Sequence, residues 1–127
     1  MTPPLAGKLA VVTGGTRGIG RAIAEALSAR GASVIATGTK EAGEVPAGCR
    51  YVPLKLEDPQ SVESLCRLIE REAPHILVNN AGMSASAAIE NADMDELLRV
   101  HEVNLMAPMR LTGRPGPAVG WPSGYRL

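Results

Sequence analysis

Eight consecutive residues, Thr13-Gly14-Gly15-Thr16-Arg17-Gly18-Ile19-Gly20, place four glycines between an apolar β-branched run, Leu9 to Thr13, and a segment of helical period. At such a strand-to-helix turn the lack of side chains lets backbone N–H groups, and the positive end of the following helix, approach a pyrophosphate. Tight packing of a helix on a strand can demand the same composition with no ligand at all. The spacing Gly14-x-x-x-Gly18-x-Gly20 is not the commoner G-x-G-x-x-G. Nor is it a P-loop, because Arg21-Ala22 stands where a phosphate-binding lysine and a magnesium-binding hydroxyl would be needed. Nucleoside triphosphate hydrolysis is therefore disfavoured, and dinucleotide binding is favoured.

The other residues with chemistry to offer are scattered. His75 and His101 have no second ligand at a recognisable spacing, so no metal site is expected and both read as surface or helix-flank histidines. Cys49 precedes a predicted strand and Cys66 lies on the apolar face of a predicted helix; without a Cys-His pairing, both read as reduced thiols. Tyr51 and Lys55 are four apart, but Tyr51-Val52-Pro53-Leu54-Lys55 reads as strand, where such residues are too separated to act together and Pro53 interrupts the ladder. Ser84, Ser86 and Ser123 have no base placed by sequence, and Tyr125 is followed by only Arg126 and Leu127.

The elements that must hold the glycine turn alternate in period. Leu9 to Thr13 is a short apolar run suited to a parallel strand buried on both faces. Arg21 to Arg30 reads as helix, with Ile19, Ile23, Ala26 and Leu27 on one face and Gly31 at the C-terminal glycine position. Ser33 to Thr37 and Tyr51 to Leu56 follow as strands. Asp58-Pro59 predicts an N-cap with proline in the first turn, and Val62, Leu65, Cys66 and Ile69 repeat at helical spacing until Pro74. Ile76-Leu77-Val78 is a fourth strand. Asp95 to about Leu111 predicts a last helix, with Leu97, Leu98, Val100 and Leu105 apolar. Strands alternating with helices imply an α/β fold with a parallel sheet covered on both faces. Thr39 to Cys49, interrupted by Gly43, Pro46 and Gly48, is too short for a full crossover helix and is expected to be a loop.

A chain of 127 residues, 45% apolar and 20% charged, is an ordinary globular balance with room for one domain. Thirteen basic residues offset thirteen acidic ones, which argues against nucleic acid or an anionic membrane as partner and for a small ligand. The start, Met1-Thr2-Pro3-Pro4, has no basic region followed by an apolar run, and no window approaches the roughly 20 apolar residues of a span. A cytoplasmic protein is expected. With no Phe, one Trp and two Tyr, the core must be built from Val, Ile, Leu, Ala and Met. The stretch 113–127 holds four glycines and three prolines without apolar periodicity. It reads either as an ordinary flexible tail or as a segment foreign to the fold, as a reading-frame change or alternative exon would produce; the second is preferred, leaving 1–112 as the folded part.

Here the sequence resembles a known family. Thr13-Gly14-x-x-x-Gly18-x-Gly20 is similar to the cofactor signature of the short-chain dehydrogenase/reductases, Asn79-Asn80-Ala81-Gly82 after the fourth strand to their second signature, and Asn104 in Val103-Asn104-Leu105 to their third. The resemblance covers about residues 5 to 112, and Arg17 to Glu25 looks closest to the 3-oxoacyl-[acyl-carrier-protein] reductases. It implies the N-terminal part of a Rossmann-type doubly wound sheet of about four strands. The activity it implies is hydride transfer between NADP(H) or NAD(H) and a small alcohol or carbonyl, in full-length relatives that are homo-oligomers. It also implies cofactor contacts from Gly14, Thr16, Arg17, Gly18, Ile19 and Gly20, a ribose lined by Asn80, Ala81 and Gly82, and Leu56 beside the adenine. Lys55 stands where many relatives have Asp, which puts a side-chain contact to the adenine amine in doubt.

An NAD site needs a carboxylate at the end of the second strand, roughly 20 residues beyond the first glycines, to accept from the ribose hydroxyls. Gly38 occupies that place and the nearest acid is Glu41. A 2′-phosphate can instead be held by Arg17, the Thr39 hydroxyl and Lys40, so NADP is favoured over NAD. The family's serine and its tyrosine with a lysine four residues later, which move the proton, have no counterpart here; Asn104 alone of the catalytic set is present. Such a chain is expected to be inactive by itself. The competing readings are a nucleotide-binding or regulatory module without chemistry, and a non-functional fragment.

Overall fold

The computed structural model describes residues 2–85 and 88–113. Four parallel strands, β1 (Leu9–Val12), β2 (Ser33–Gly38), β3 (Cys49–Pro53) and β4 (Ile76–Val78), form one sheet in the order β3-β2-β1-β4. Helices α1 (Gly18–Ala29) and α2 (Pro59–Glu72) connect β1 to β2 and β3 to β4. The chain then continues through a short 3-10 turn (Ile89–Asn91) into α3 (Met94–His101), a π-helical stretch (Glu102–Met106) and α4 (Ala107–Thr112). This is the α/β parallel sheet that the alternating periods imply, with the Rossmann-type arrangement that the resemblance implies.

The apolar runs are continuous because both faces of the sheet are covered. Alternate residues point opposite ways along a strand. Ala10, Val12 and Val34 pack with Ala24, Ile23 and Leu27 of α1, whereas Val11, Ile35 and Leu77 pack with Val62, Leu65, Cys66 and Ile69 of α2 and with Val103, Ala107 and Leu111. The caps fall where their residue types place them. The Asp58 carboxylate accepts from the Gln60 N–H at 3.0 Å, Pro59 opens α2, and Gly31 takes a φ of 98° just past α1. Residues 39–48 contain no helix, so β2 reaches β3 through a loop.

Three expectations need correction. Helix α1 starts at Gly18 rather than Arg21, and Ile19 is 75% exposed instead of joining the apolar face, because the first turn of α1 is part of the glycine turn, where Gly20 rather than Ile19 faces inward. Strand β3 starts at Cys49 and stops at Pro53; Leu54 and Leu56 are buried, but in the segment leading to α2. The last helix is not regular. Pro108 has no N–H for the Asn104 carbonyl, and its ring crowds that carbonyl. The preceding turn widens, with the Ala107 N–H reaching back to the Glu102 carbonyl. That wide turn shifts the apolar face after it: Leu105 is exposed, and Val103, Ala107 and Leu111 enter the core; Leu98, ahead of the turn, is also exposed. The stretch from 114 onward, expected to be foreign to the fold, lies outside the described residues.

Candidate functional site

The C-terminal ends of β1, β2 and β4 meet at the glycine turn, and two threonines tie them together. The buried Thr13 hydroxyl accepts the backbone N–H groups of Asn80 and Ala81, each at 3.0 Å, and donates to the Val78 carbonyl at 3.4 Å. One donor and both acceptor positions of the hydroxyl are thus used. The buried Thr37 hydroxyl accepts the Gly14 N–H at 3.1 Å, and the Gly15 N–H donates to the Thr37 carbonyl at 2.9 Å. Sequence reasoning quoted Thr13 as the first residue of the glycine signature without giving its hydroxyl a role, and passed over Thr37; their shared signal is a hydroxyl at or near the C-terminal end of an apolar strand.

Asn80 closes the turn from the β4 side. Its side-chain amide donates to the carbonyls of Thr13 at 3.1 Å and Gly14 at 3.2 Å. Gly14 has φ 66°, and a Cβ there would lie 3.1 Å from Ala81 and from the Asn80 amide. A Cβ on Gly20 would lie 2.0 Å from the Gly14 carbonyl oxygen. Only glycine permits that approach, which seats the start of α1 against β1 and β4. Arg21 braces the turn from outside, reaching the Thr16 carbonyl at 3.5 Å and Glu25 at 3.2 Å.

This cradle fits a pyrophosphate. The N-cap residue Arg17 makes no side-chain cap bond, no acid stands in the first turn of α1, and a Cβ on Gly18 would meet nothing within 4 Å, so among the described residues the helix N-terminus presents bare backbone. Arg17, Thr39 and Lys40 are exposed. Leu56 is buried in the main core with Leu54 and Val62, leaving little of its side chain for a ligand to touch.

Asn104 lies in the π-helical stretch, a feature concentrated at functional sites. Its amide pairs with the backbone of Met83, accepting from the N–H at 2.9 Å and donating to the carbonyl at 2.7 Å. Ala81, Gly82, Met83, Ser84 and Asn104 line an open depression of about 460 Å³. The second and third signature segments are thereby brought to one place, next to the glycine turn. Asn79 turns the other way: its amide donates to the Thr112 hydroxyl at 3.0 Å, and its buried carbonyl oxygen has no partner among the described residues. Tyr51 donates its hydroxyl to the Lys40 carbonyl, so it is engaged at the β2–β3 loop. Among the described residues no cluster of His, Cys, Asp and Glu could hold a metal, and no helix is long and apolar enough to cross a membrane.

A parallel sheet in the order β3-β2-β1-β4, with a glycine turn at the C-terminal ends of its strands, is the arrangement of a Rossmann-type fold. The model of the short chain dehydrogenase family matches residues 8–118, and the chain belongs to that family. It is 43% identical over 114 residues to the 3-oxoacyl-[acyl-carrier-protein] reductase FabG of Salmonella typhimurium, covering 84% of this chain and 47% of that protein. The Escherichia coli FabG is 42% identical over the same length, with the same coverage of each chain. Among solved structures, the aldohexose dehydrogenase of Thermoplasma acidophilum superposes with a TM-score of 0.77 at 31% identity, over 91% of this chain and 45% of that one. A blue fluorescent protein from a metagenomic library, in complex with NADPH, gives 0.76 at 28% identity, over 87% of this chain and 51% of that one. The chain spans about half the length of the relatives it matches.

Proposed function

We propose that this chain is the cofactor-binding part of an NADP(H)-dependent short-chain dehydrogenase/reductase acting on a small alcohol or carbonyl, and that these residues by themselves bind NADP(H) without turning it over. The observation that carries the reading is the cradle of Gly14, Gly18 and Gly20, fixed by Thr13, Thr37 and Asn80. NADP(H), when bound, supplies the hydride chemistry. The chain's own groups hold it: bare N–H groups at the start of α1 take the pyrophosphate, and Ala81 and Gly82 form the floor beside the ribose. With Gly38 in place of a carboxylate, Arg17, Thr39 and Lys40 favour the 2′-phosphate.

Proton transfer needs a group with a matched pKa within hydrogen-bond reach of the substrate oxygen. Around the open depression the described residues offer Ser84 and the Asn104 amide, and Asn104 is held by Met83. We assign Asn104 to shaping this wall of the site. Cys49 and Cys66 form no disulfide with each other, which fits a reducing cytoplasm.

The test is equilibrium binding of NADPH and NADH to the purified chain by fluorescence, alongside an assay of NADPH oxidation with a panel of carbonyl compounds. We expect NADPH binding, loss of it in Gly14→Asp, a larger loss of NADPH than of NADH affinity in Arg17→Ala, and no turnover. Steady turnover abolished by Gly14→Asp would overturn the proposed inactivity, and equal losses in Arg17→Ala would leave Arg17 a surface charge.

A further inference from the structure

The loop between β2 and β3 is folded around one aromatic ring. Tyr51 of β3 is half-buried, and its ring stands between Gly38, the last residue of β2, and Gly43. A Cβ on Gly38 would come to 3.0 Å from the Tyr51 ring, from its hydroxyl and from the Thr16 methyl. On Gly43 it would come to 2.5 Å from the ring edge. The Tyr51 hydroxyl donates to the carbonyl of Lys40, midway between the two glycines. The ring therefore touches both ends of the stretch 38–43 and holds its middle. That stretch carries the exposed residues Thr39, Lys40 and Glu41.

Resting on the NADP(H) reading above, we propose that Tyr51 is a positioning residue that sets the choice between the two dinucleotides. Its hydrogen bond fixes the backbone that presents Thr39 and Lys40 to a 2′-phosphate. Its ring also fills the space beside Gly38, where a carboxylate for unphosphorylated ribose would have to stand. A carboxylate at position 38 must displace either the ring or Thr16, so Gly38 and Tyr51 act as a coupled pair.

The experiment measures NADPH and NADH binding to the whole chain as wild type, Tyr51→Phe, Gly38→Asp and Gly38→Asp combined with Tyr51→Ala, with hydrogen exchange followed at residues 39–43. Tyr51→Phe keeps the ring and removes only the hydrogen bond. We expect it to weaken NADPH about three- to tenfold, the scale of one hydrogen bond, with NADH unchanged and exchange faster at 39–43 alone. Gly38→Asp alone should weaken NADPH without improving NADH, and the double variant should gain NADH affinity. A wild type that prefers NADH, or that binds neither, would overturn the cofactor reading and this inference with it. An NADPH-preferring wild type whose preference and loop exchange survive Tyr51→Phe would overturn this inference alone. So would a Gly38→Asp variant that switches to NADH as fully as the double variant.

Discussion

The backbone of Gly20 lies so close to that of Gly14 that a Cβ on Gly20 would sit 2.0 Å from the Gly14 carbonyl oxygen. Neither partner can yield, since one is the first turn of a helix and the other a turn bonded to Thr37 and Asn80. Gly20→Ala is therefore expected to cost about 3 kcal/mol or more, at the upper end of overpacking, and to abolish NADPH binding. Gly18→Ala meets no atom within 4 Å and bears only the strain of its φ of 58°, about 1–2 kcal/mol. Chemical denaturation of the two variants checks this; equal losses would mean that the close approach does not govern the turn.

The Thr13 hydroxyl is the acceptor for two backbone N–H groups at the end of β4. Thr13→Val keeps the volume but leaves both without that acceptor, at about 1–3 kcal/mol for each buried group. Thr13→Ser keeps the hydroxyl and should lose only about 1 kcal/mol for the missing methyl. A Val variant as stable as the Ser variant would show that water replaces the hydroxyl.

Pro108 causes the wide turn around Asn104, so the proline should control a contact that it does not make. Pro108→Ala returns an N–H to the helix and permits a regular α-turn. Asn104 then rotates away from Met83, and exchange of the Met83 amide should accelerate about tenfold or more, as it should in Asn104→Ala. Unchanged Met83 exchange in Pro108→Ala would assign the wide turn to tertiary packing instead.

Arg50 of β3 and Glu72 at the end of α2 form a two-pronged pair, Nη1 to Oε1 at 3.1 Å and Nη2 to Oε2 at 2.7 Å. The Arg50 hydrogen bonds hold the Glu72 carboxyl below its usual range, against a smaller opposing effect of burial. A carboxylate whose pKa is lowered by folding stabilises the fold above its unfolded pKa, about 4, and loses that contribution as pH falls through the folded value. Arg50 is exposed and Glu72 half-buried, so solvent screens the pair and Glu72→Gln should cost only about 0.5–1 kcal/mol at pH 7. Thermal melts from pH 7 to 3 should show wild type and variant converging at the acid end; a constant gap would show that the pair's charge is not what stabilises it.

Much of this protein was legible in one dimension because it rests on local rules. Apolar runs too short for helices gave the four strands, Asp58-Pro59 gave the start of α2, and Gly31 gave the end of α1. The glycine turn could be read from composition and position alone, since close backbone approach excludes every other residue type. What only the tertiary structure decided depends on partners far apart in the chain. Thr13 meets Asn80 and Ala81, Thr37 meets Gly14, and Tyr51 meets Gly38 and Gly43 only once the sheet takes the order β3-β2-β1-β4. A hydroxyl at a strand end carries no mark in the sequence of which N–H it will accept. Likewise, the Asp95 to Leu111 pattern showed a helix but not which face is buried, because a wide turn at Asn104 shifts every residue after it and exposes Leu105 while Leu111 enters the core.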